Sequence, residues 1–358
     1  MNRCCPTVAT GLLFIFGAWI APTSAADRQD AEVVATVAST LATAAGQIRQ
    51  FAFDGDDATY FKSSRNPVST DHFTLVLDKP VILKSIAVTT GQPDGTQQVE
   101  SGVLEVSTDG KEFAEVAVFT DGKAAGKADG RPIKVIRLRL ASDHEHPLAI
   151  REMVIAAEPP VAVFRYPVEF AVDVADAPDM QDWAEKVARI CERAWPMLNE
   201  ELRSDGYKPP RLVTMSLKSN YRGVAATAGT HITGSVKFFR DHPEDVGAMV
   251  HEAAHVVQNY RSRGNPGWLV EGVADYVRFF KFEPGNLGRI DANRAHYNSS
   301  YRVTAAFLAY LTEKYDKDIV LKLNKLMREG EYKQEVFQNL TGKPVEELDE
   351  EWRATLKQ

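Results

Sequence analysis

His251, Glu252 and His255 stand in the order H-E-x-x-H, within Val250-His251-Glu252-Ala253-Ala254-His255-Val256-Val257-Gln258. Histidines four apart lie one turn above each other on one face of a helix. Their imidazoles can therefore bind one Zn²⁺ from the same side. Glu252, one position round the helix, is placed to hold and deprotonate a zinc-bound water. A catalytic zinc site uses three protein ligands and keeps one position open. Glu271, in Trp268-Leu269-Val270-Glu271-Gly272-Val273-Ala274-Asp275-Tyr276, is the expected third ligand. Asp275 follows one turn later and is expected to accept the free ring N–H of a ligand histidine, His251, fixing its tautomer.

These residues need two helices. The first is expected to begin at a cap on Asp241 or His242, with Pro243 as its first residue and Glu244 and Asp245 in its first turn. Val246, Met249, Val250, Ala253, Ala254, Val257 and Tyr260 give it apolar spacing of three and four. Arg261 and Arg263 would close it before Gly264. A turn over Gly264-Asn265-Pro266-Gly267 then leads into the second helix. A peptidase also gains from a donor near the developing oxyanion. Tyr301, at the start of an amphipathic helix to about Tyr315, is the expected donor, with Tyr297 and His296 behind it. His231 is expected near the metal without ligating it. His144 and His146 form a rival pair, read as a solvated turn because they sit between strands and precede Pro147.

From about Val172 to the C-terminus the chain resembles the plant basic secretory protein family, held to be zinc metallopeptidases of the gluzincin type. The resemblance rests on the H-E-x-x-H block and on Gly267-Trp268-Leu269-Val270-Glu271-Gly272-Val273-Ala274-Asp275-Tyr276-Val277-Arg278. It also rests on Tyr301-Arg302-Val303-Thr304-Ala305-Ala306-Phe307-Leu308. It implies an α+β zincin-like domain that cleaves peptide or protein substrates. A sheet edge around Gly229 to Phe239 would line its cleft, where an extended peptide can pair through main-chain hydrogen bonds. This chain is acidic, so the family's name does not describe it.

Residues 1–26 read as a secretory signal: Arg3, then the apolar run Leu12 to Ile20, then small residues to Ala26. The apolar run is too short to span a membrane comfortably. No stable span is expected after cleavage, and the destination is periplasmic or extracellular. The formal charge of −7 becomes −8 when Arg3 leaves. No long Lys/Arg run suggests nucleic-acid binding. Of the 3 cysteines, Cys4 and Cys5 lie in the signal and Cys191 remains alone, expected as a small buried apolar residue.

Residues 27–50 have weak periodicity, compatible with an entry strand and a short helix. From Phe51 to Glu158 the pattern has period two. Expected strands are His72–Leu77, Ile82–Thr90, Gly102–Ser107, Phe113–Phe119, Ile133–Leu140 and Arg151–Ala156, with Asp78-Lys79-Pro80 as one of the turns. That argues an antiparallel β-sandwich over 27–158. A stiff extended spacer over 159–167 would follow, then the α+β domain over 168–358.

The sandwich resembles discoidin, or coagulation-factor C-type, domains, which are galactose-binding-like jelly rolls. The matching stretches are Phe53-Asp54-Gly55-Asp56-Asp57-Ala58-Thr59-Tyr60-Phe61, Phe73 to Pro80 and Leu104 to Lys111. The resemblance implies a Ca²⁺ site at Asp54, Asp57, Thr59 and Glu152. It also implies a glycan or cell-surface ligand at loops near Tyr60, Phe61, Arg65 and His72. The leading functional reading is an exported zinc endopeptidase with a surface-binding module. An aminopeptidase, and a carbohydrate- or surface-binding protein with an inactive or regulatory zinc domain, stay open.

Overall fold

The computed structural model describes residues 32–44, 46–262 and 264–357. The expected signal, residues 1–26, and the helix-closing Arg263 lie outside the described residues. Two apolar cores are present, one inside the strands of the first half and one between the helices and sheet of the second.

In the first half, strands β1 (Val33–Ser39), β2 (Phe61–Lys62), β3 (His72–Thr90), β4 (Gly102–Ser107) and β5 (Ala114–Val118) are joined by β6 (Lys123–Gly126), β7 (Pro132–Leu140), β8 (Ala149–Glu158) and β9 (Val161–Ala162). Two expected strands are in fact one: β3 runs unbroken through Asp78-Lys79-Pro80. Its early part pairs with β1 and β7, its later part with β6 and β8. The register shifts between Val76 and Val81, where exposed Asp78, Lys79 and Pro80 bulge without turning back. One bent strand thus serves both faces of the sandwich. Residues 161–162, expected as free spacer, pair in parallel with Val33 and Val34.

The second half carries a four-stranded sheet, order β10 (Glu169–Asp173), β11 (Leu212–Lys218), β13 (His231–Ser235) and β12 (Ala225–Ala228). Helix α1 (Gln181–Glu201) packs on β10, burying Val187, Cys191, Trp195 and Leu198. Then come α2 (Val236–Asp241), α3 (Gly247–Gln258), α4 (Gly267–Tyr276), α5 (Tyr301–Lys314), α6 (Ile319–Glu329), α7 (Val336–Thr341) and α8 (Val345–Thr355). Among the described residues no helix is long and apolar enough to cross a membrane.

Helix α3 is shorter at both ends than its sequence suggests. The Ser235 hydroxyl caps α2 by accepting from Phe238 N, and that helix ends at Asp241. The Pro243 carbonyl accepts the Trp183 indole N–H at 2.9 Å, so Pro243 stays in a turn and does not open α3. At the other end Asn259 turns left-handed (φ 45°), stopping α3 before Tyr260 and Arg261.

The two halves meet through buried charge. Arg49 Nη2 lies 3.1 Å from Glu169 Oε1, with 12% and 6% of the two side chains exposed. Glu169 also accepts from Thr43 Oγ1 at 2.6 Å, and Val168 N donates to Gln50 Oε1 at 2.9 Å.

Candidate metal centre

Helix α3 presents His251 and His255 to one side, and α4 crosses it to present Glu271. Their Nε2, Nε2 and carboxylate oxygen all lie within 4.8 Å of one another. The two Nε2 atoms are 3.0 Å apart, and Glu271 Oε2 is 3.2 Å from one and 3.3 Å from the other. Among the described residues these three form the one group of three or more His, Cys, Asp or Glu that converges in this way.

The outward nitrogens decide what this cluster can hold. His251 Nδ1 lies 2.7 Å from Asp275 Oδ1. A carboxylate only accepts, so Nδ1 carries the hydrogen and Nε2 of the neutral ring carries a lone pair. The same holds for His255. Gln258 donates its amide NH₂ to the Val270 carbonyl at 2.8 Å, which turns its oxygen to His255 Nδ1 at 2.7 Å. Two lone pairs and a carboxylate oxygen therefore face each other across about 3 Å. That arrangement repels itself unless a cation lies among them, and two nitrogens with one oxygen suit zinc. Protons feel the same pull. Burial opposes charge on His251, but hydrogen bonds to Asp275 and Glu271 outweigh it and push its pKa up to about 9. Burial would raise Glu271, yet the two imidazoles hold it down at about 2.

Glu252 faces the same cleft, of 1180 Å³. Its Oε2 lies 2.8 Å from the Thr227 hydroxyl, which is also 2.9 Å from the Glu252 backbone carbonyl. Thr227 sits on β12, one of the two edge strands of the sheet, and Ala225 and Ala226 beside it line the cleft too. The expected edge around Gly229 to Phe239 is thus corrected. A turn at Gly229 (φ +62°) folds β12 back onto β13 and leaves β13 internal.

Gly272 sets how closely α5 approaches α4. A Cβ there would stand 2.0 Å from Thr304 Cγ2. The close approach brings Tyr301 over the centre, its ring 6.4 Å from that of His251 at 21°. Glu271 foremost, then burial, Asp275 and Glu252, raise the Tyr301 pKa, so the phenol keeps its proton.

A family model described as "Peptidase of plants and bacteria" matches residues 169–352, more than half of the chain. The chain belongs to this peptidase family. A second model, the F5/8 type C domain, matches residues 35–152. No curated protein matches. Solved structures are similar to the sandwich at low identity. CBM32-1 of a family 31 glycoside hydrolase from Clostridium perfringens is 15% identical, over 34% of this chain and 92% of that one, with a TM-score of 0.30. Chitosan-binding module 1 of a chitosanase/glucanase from Paenibacillus sp. IK-5 is 18% identical, over 34% and 93%, also at 0.30. The CBM32-1 and CBM32-2 domains of Clostridium perfringens ZmpB are 17% identical, over 33% of each chain, at 0.29.

Other expected residues lie elsewhere in the chain. His296 and the Tyr297 amide both bond Asp349 of α8, away from the cleft lining. His231 is exposed on β13, outside the metal cluster. His144 and His146 meet edge to face with ring centroids 5.3 Å apart, and gather no third ligand among the described residues. Asp54, Asp57 and Glu152 do not converge as a metal cluster. Asp54 takes the Thr59 hydroxyl at 2.9 Å, and Glu152 takes the Gly55 and Met153 amides. Phe61 is buried against Phe73, and Arg65 pairs with Asp71. Tyr60 donates to Gln92, and His72 borders a 380 Å³ hollow with Arg137 and Lys134.

Gln258 and Thr227 contact His255 and Glu252 at this site and were not singled out from the sequence. Gln258 stood inside the quoted motif, one turn from His255, and that spacing was its only signal. Thr227 carries no local signal.

Proposed function

We propose that this chain is an exported zinc endopeptidase whose F5/8 type C part attaches it to a glycan or another surface ligand. One observation carries the reading. His251, His255 and Glu271 offer three electron-pair donors to one point, and Asp275 and Gln258 hold both ring protons away from it.

When bound there, zinc supplies Lewis acidity for water and for the scissile carbonyl. The chain's own residues do the rest. Glu252 accepts the proton of the attacking water and passes it to the leaving amine. Thr227 holds the Glu252 carboxylate in place for that transfer. Tyr301 donates its hydroxyl to the carbonyl oxygen as that oxygen gains charge. The free edge of β12 pairs with an extended substrate backbone.

Internal cleavage is favoured over N-terminal trimming because the nearby carboxylates are engaged. Asp275 is bonded to His251, Glu271 to both imidazoles and Asp245 to Arg278. With Glu252 serving as base, no carboxylate of the cleft lining is left to grip a substrate N-terminus. The test is cleavage of a diverse unmodified peptide pool, read by mass spectrometry. Internal cuts are expected. Removal of N-terminal residues alone would make it an aminopeptidase. No cuts by a folded, zinc-loaded chain would leave a binding protein.

A further inference from the structure

The cleft wall beside Tyr301 carries a second recognition feature. Phe279 is buried with two guanidinium groups against its ring, Arg278 at 4.5 Å and Arg302 at 4.9 Å from the centroid. The two differ in compensation. Arg278 is held by Asp245 at 2.5 Å and Glu283 at 2.6 Å. Arg302 has no carboxylate within 4.0 Å and donates to no protein acceptor, among the described residues. Its head is nonetheless steadied by the Phe279 ring.

Its neighbours in the cleft lining are Ser299, Ser300 and Tyr301. The Ser299 and Ser300 oxygens accept from backbone amides, His296 N at 3.3 Å and Val303 N at 3.4 Å. Their own hydroxyl hydrogens have no acceptor among the described residues. A guanidinium and two hydroxyls can all donate, and the nearby carboxylates Asp245 and Glu283 are taken up by Arg278 rather than by Arg302. The complementary ligand is a carboxylate, which Arg can take in bidentate fashion. Tyr301 ties this wall to the metal centre through its ring against His251. Arg302 lines the same cleft as His251, His255 and Glu271, so a carboxylate that it holds lies in the space that would receive a substrate.

We propose that Arg302, with Ser299 and Ser300, forms a carboxylate subsite that selects substrates carrying an acidic side chain or a free C-terminus near the scissile bond. The proposal deepens the peptidase reading and rests on it for the word substrate, while binding tests it separately.

The experiment uses the full chain and labelled peptide twins that differ only by Glu against Gln within two residues of the scissile bond. A second pair differs by a C-terminal acid against an amide. Binding is read by fluorescence anisotropy on the zinc-loaded Glu252→Gln chain, and kcat/KM on the otherwise wild-type chain. At least a tenfold preference for the carboxylate member of one pair is expected, and which pair shows it names the source. Arg302→Gln should bring that ratio near one, and Arg302→Glu should turn the preference toward a Lys twin. A merely structural role would not invert selectivity. Equal binding of both twins in both pairs, or a preference that survives Arg302→Gln, overturns the proposal. Selective binding without any cleavage would keep the subsite and remove the peptidase reading instead.

Discussion

His255 Nδ1 lies 2.7 Å from Gln258 Oε1, and that contact decides which face of the imidazole meets the cleft. The amide cannot turn over, because its other end donates to the Val270 carbonyl of α4. Asp275 does the same for His251 from the neighbouring turn of α4. Each of the two histidines thus depends on a partner whose loss frees its tautomer. Gln258→Leu and Asp275→Asn should each weaken zinc binding about 10- to 100-fold. Competition with a chromophoric chelator measures this. Zinc affinity unchanged in both variants would remove these two residues from the site.

The closeness of α4 and α5 rests on Gly272. Alanine there would drive its Cβ into the Thr304 side chain, 2.0 Å from Cγ2. Gly272→Ala should lower stability by about 2–3 kcal/mol, as overpacking does in tight cores. Thr304→Ser in the same chain removes the struck methyl and should return part of the loss. Thermal melts of the three chains check it, and a silent Gly272→Ala would contradict the packing described.

The sandwich is docked on the peptidase half through Arg49 and Glu169, both nearly buried. Breaking such a pair by removing one partner strands the other charge. Arg49→Met should therefore cost about 2–4 kcal/mol. It should lower the melting of both halves together, as followed by calorimetry. A loss confined to one half would mean that the halves fold independently of this contact.

Glu152 gives the sandwich a pH dependence. Burial, with the charges of Asp54 and Asp57 adding to it, raises its pKa to about 7 from 4.5. Below pH 4.5 the group is protonated whether folded or not, and it costs nothing. As pH rises from there toward 7 the unfolded chain releases its proton first, so stability falls. Above 7 the cost is complete, about 1–2 kcal/mol once solvent screening is allowed for. Urea titrations of wild type and Glu152→Gln in calcium-free buffer should show wild type losing ground by that amount between pH 4.5 and 8. A difference that stays flat with pH contradicts the shift.

The convergence of His251, His255 and Glu271 was legible because helix geometry places each of them locally. Two histidines four apart share a face whatever else the fold does, and Glu271 and Asp275 repeat that logic on the next helix. What escaped depends on distant partners. Thr227 meets Glu252 only because the hairpin at Gly229 brings β12 against α3. Gln258 has a role only because the Val270 carbonyl holds its amide. Asp78-Lys79-Pro80 has the composition of a turn, yet the strand passes through it as a bulge, held by β1 on one side and β8 on the other. Pro243 suits a first helical position, but its carbonyl is taken by Trp183, 60 residues earlier.

The most direct test compares wild type and Glu252→Gln, both zinc-loaded, on one unmodified peptide pool, with zinc content measured beside the cuts. Glutamine keeps the shape of the side chain and an acceptor for Thr227 but cannot take a proton from water. Equal zinc, equal melting and a loss of cleavage of at least about 100-fold are expected in the variant. Cleavage near the wild-type rate by Glu252→Gln, at equal zinc, would contradict this expectation.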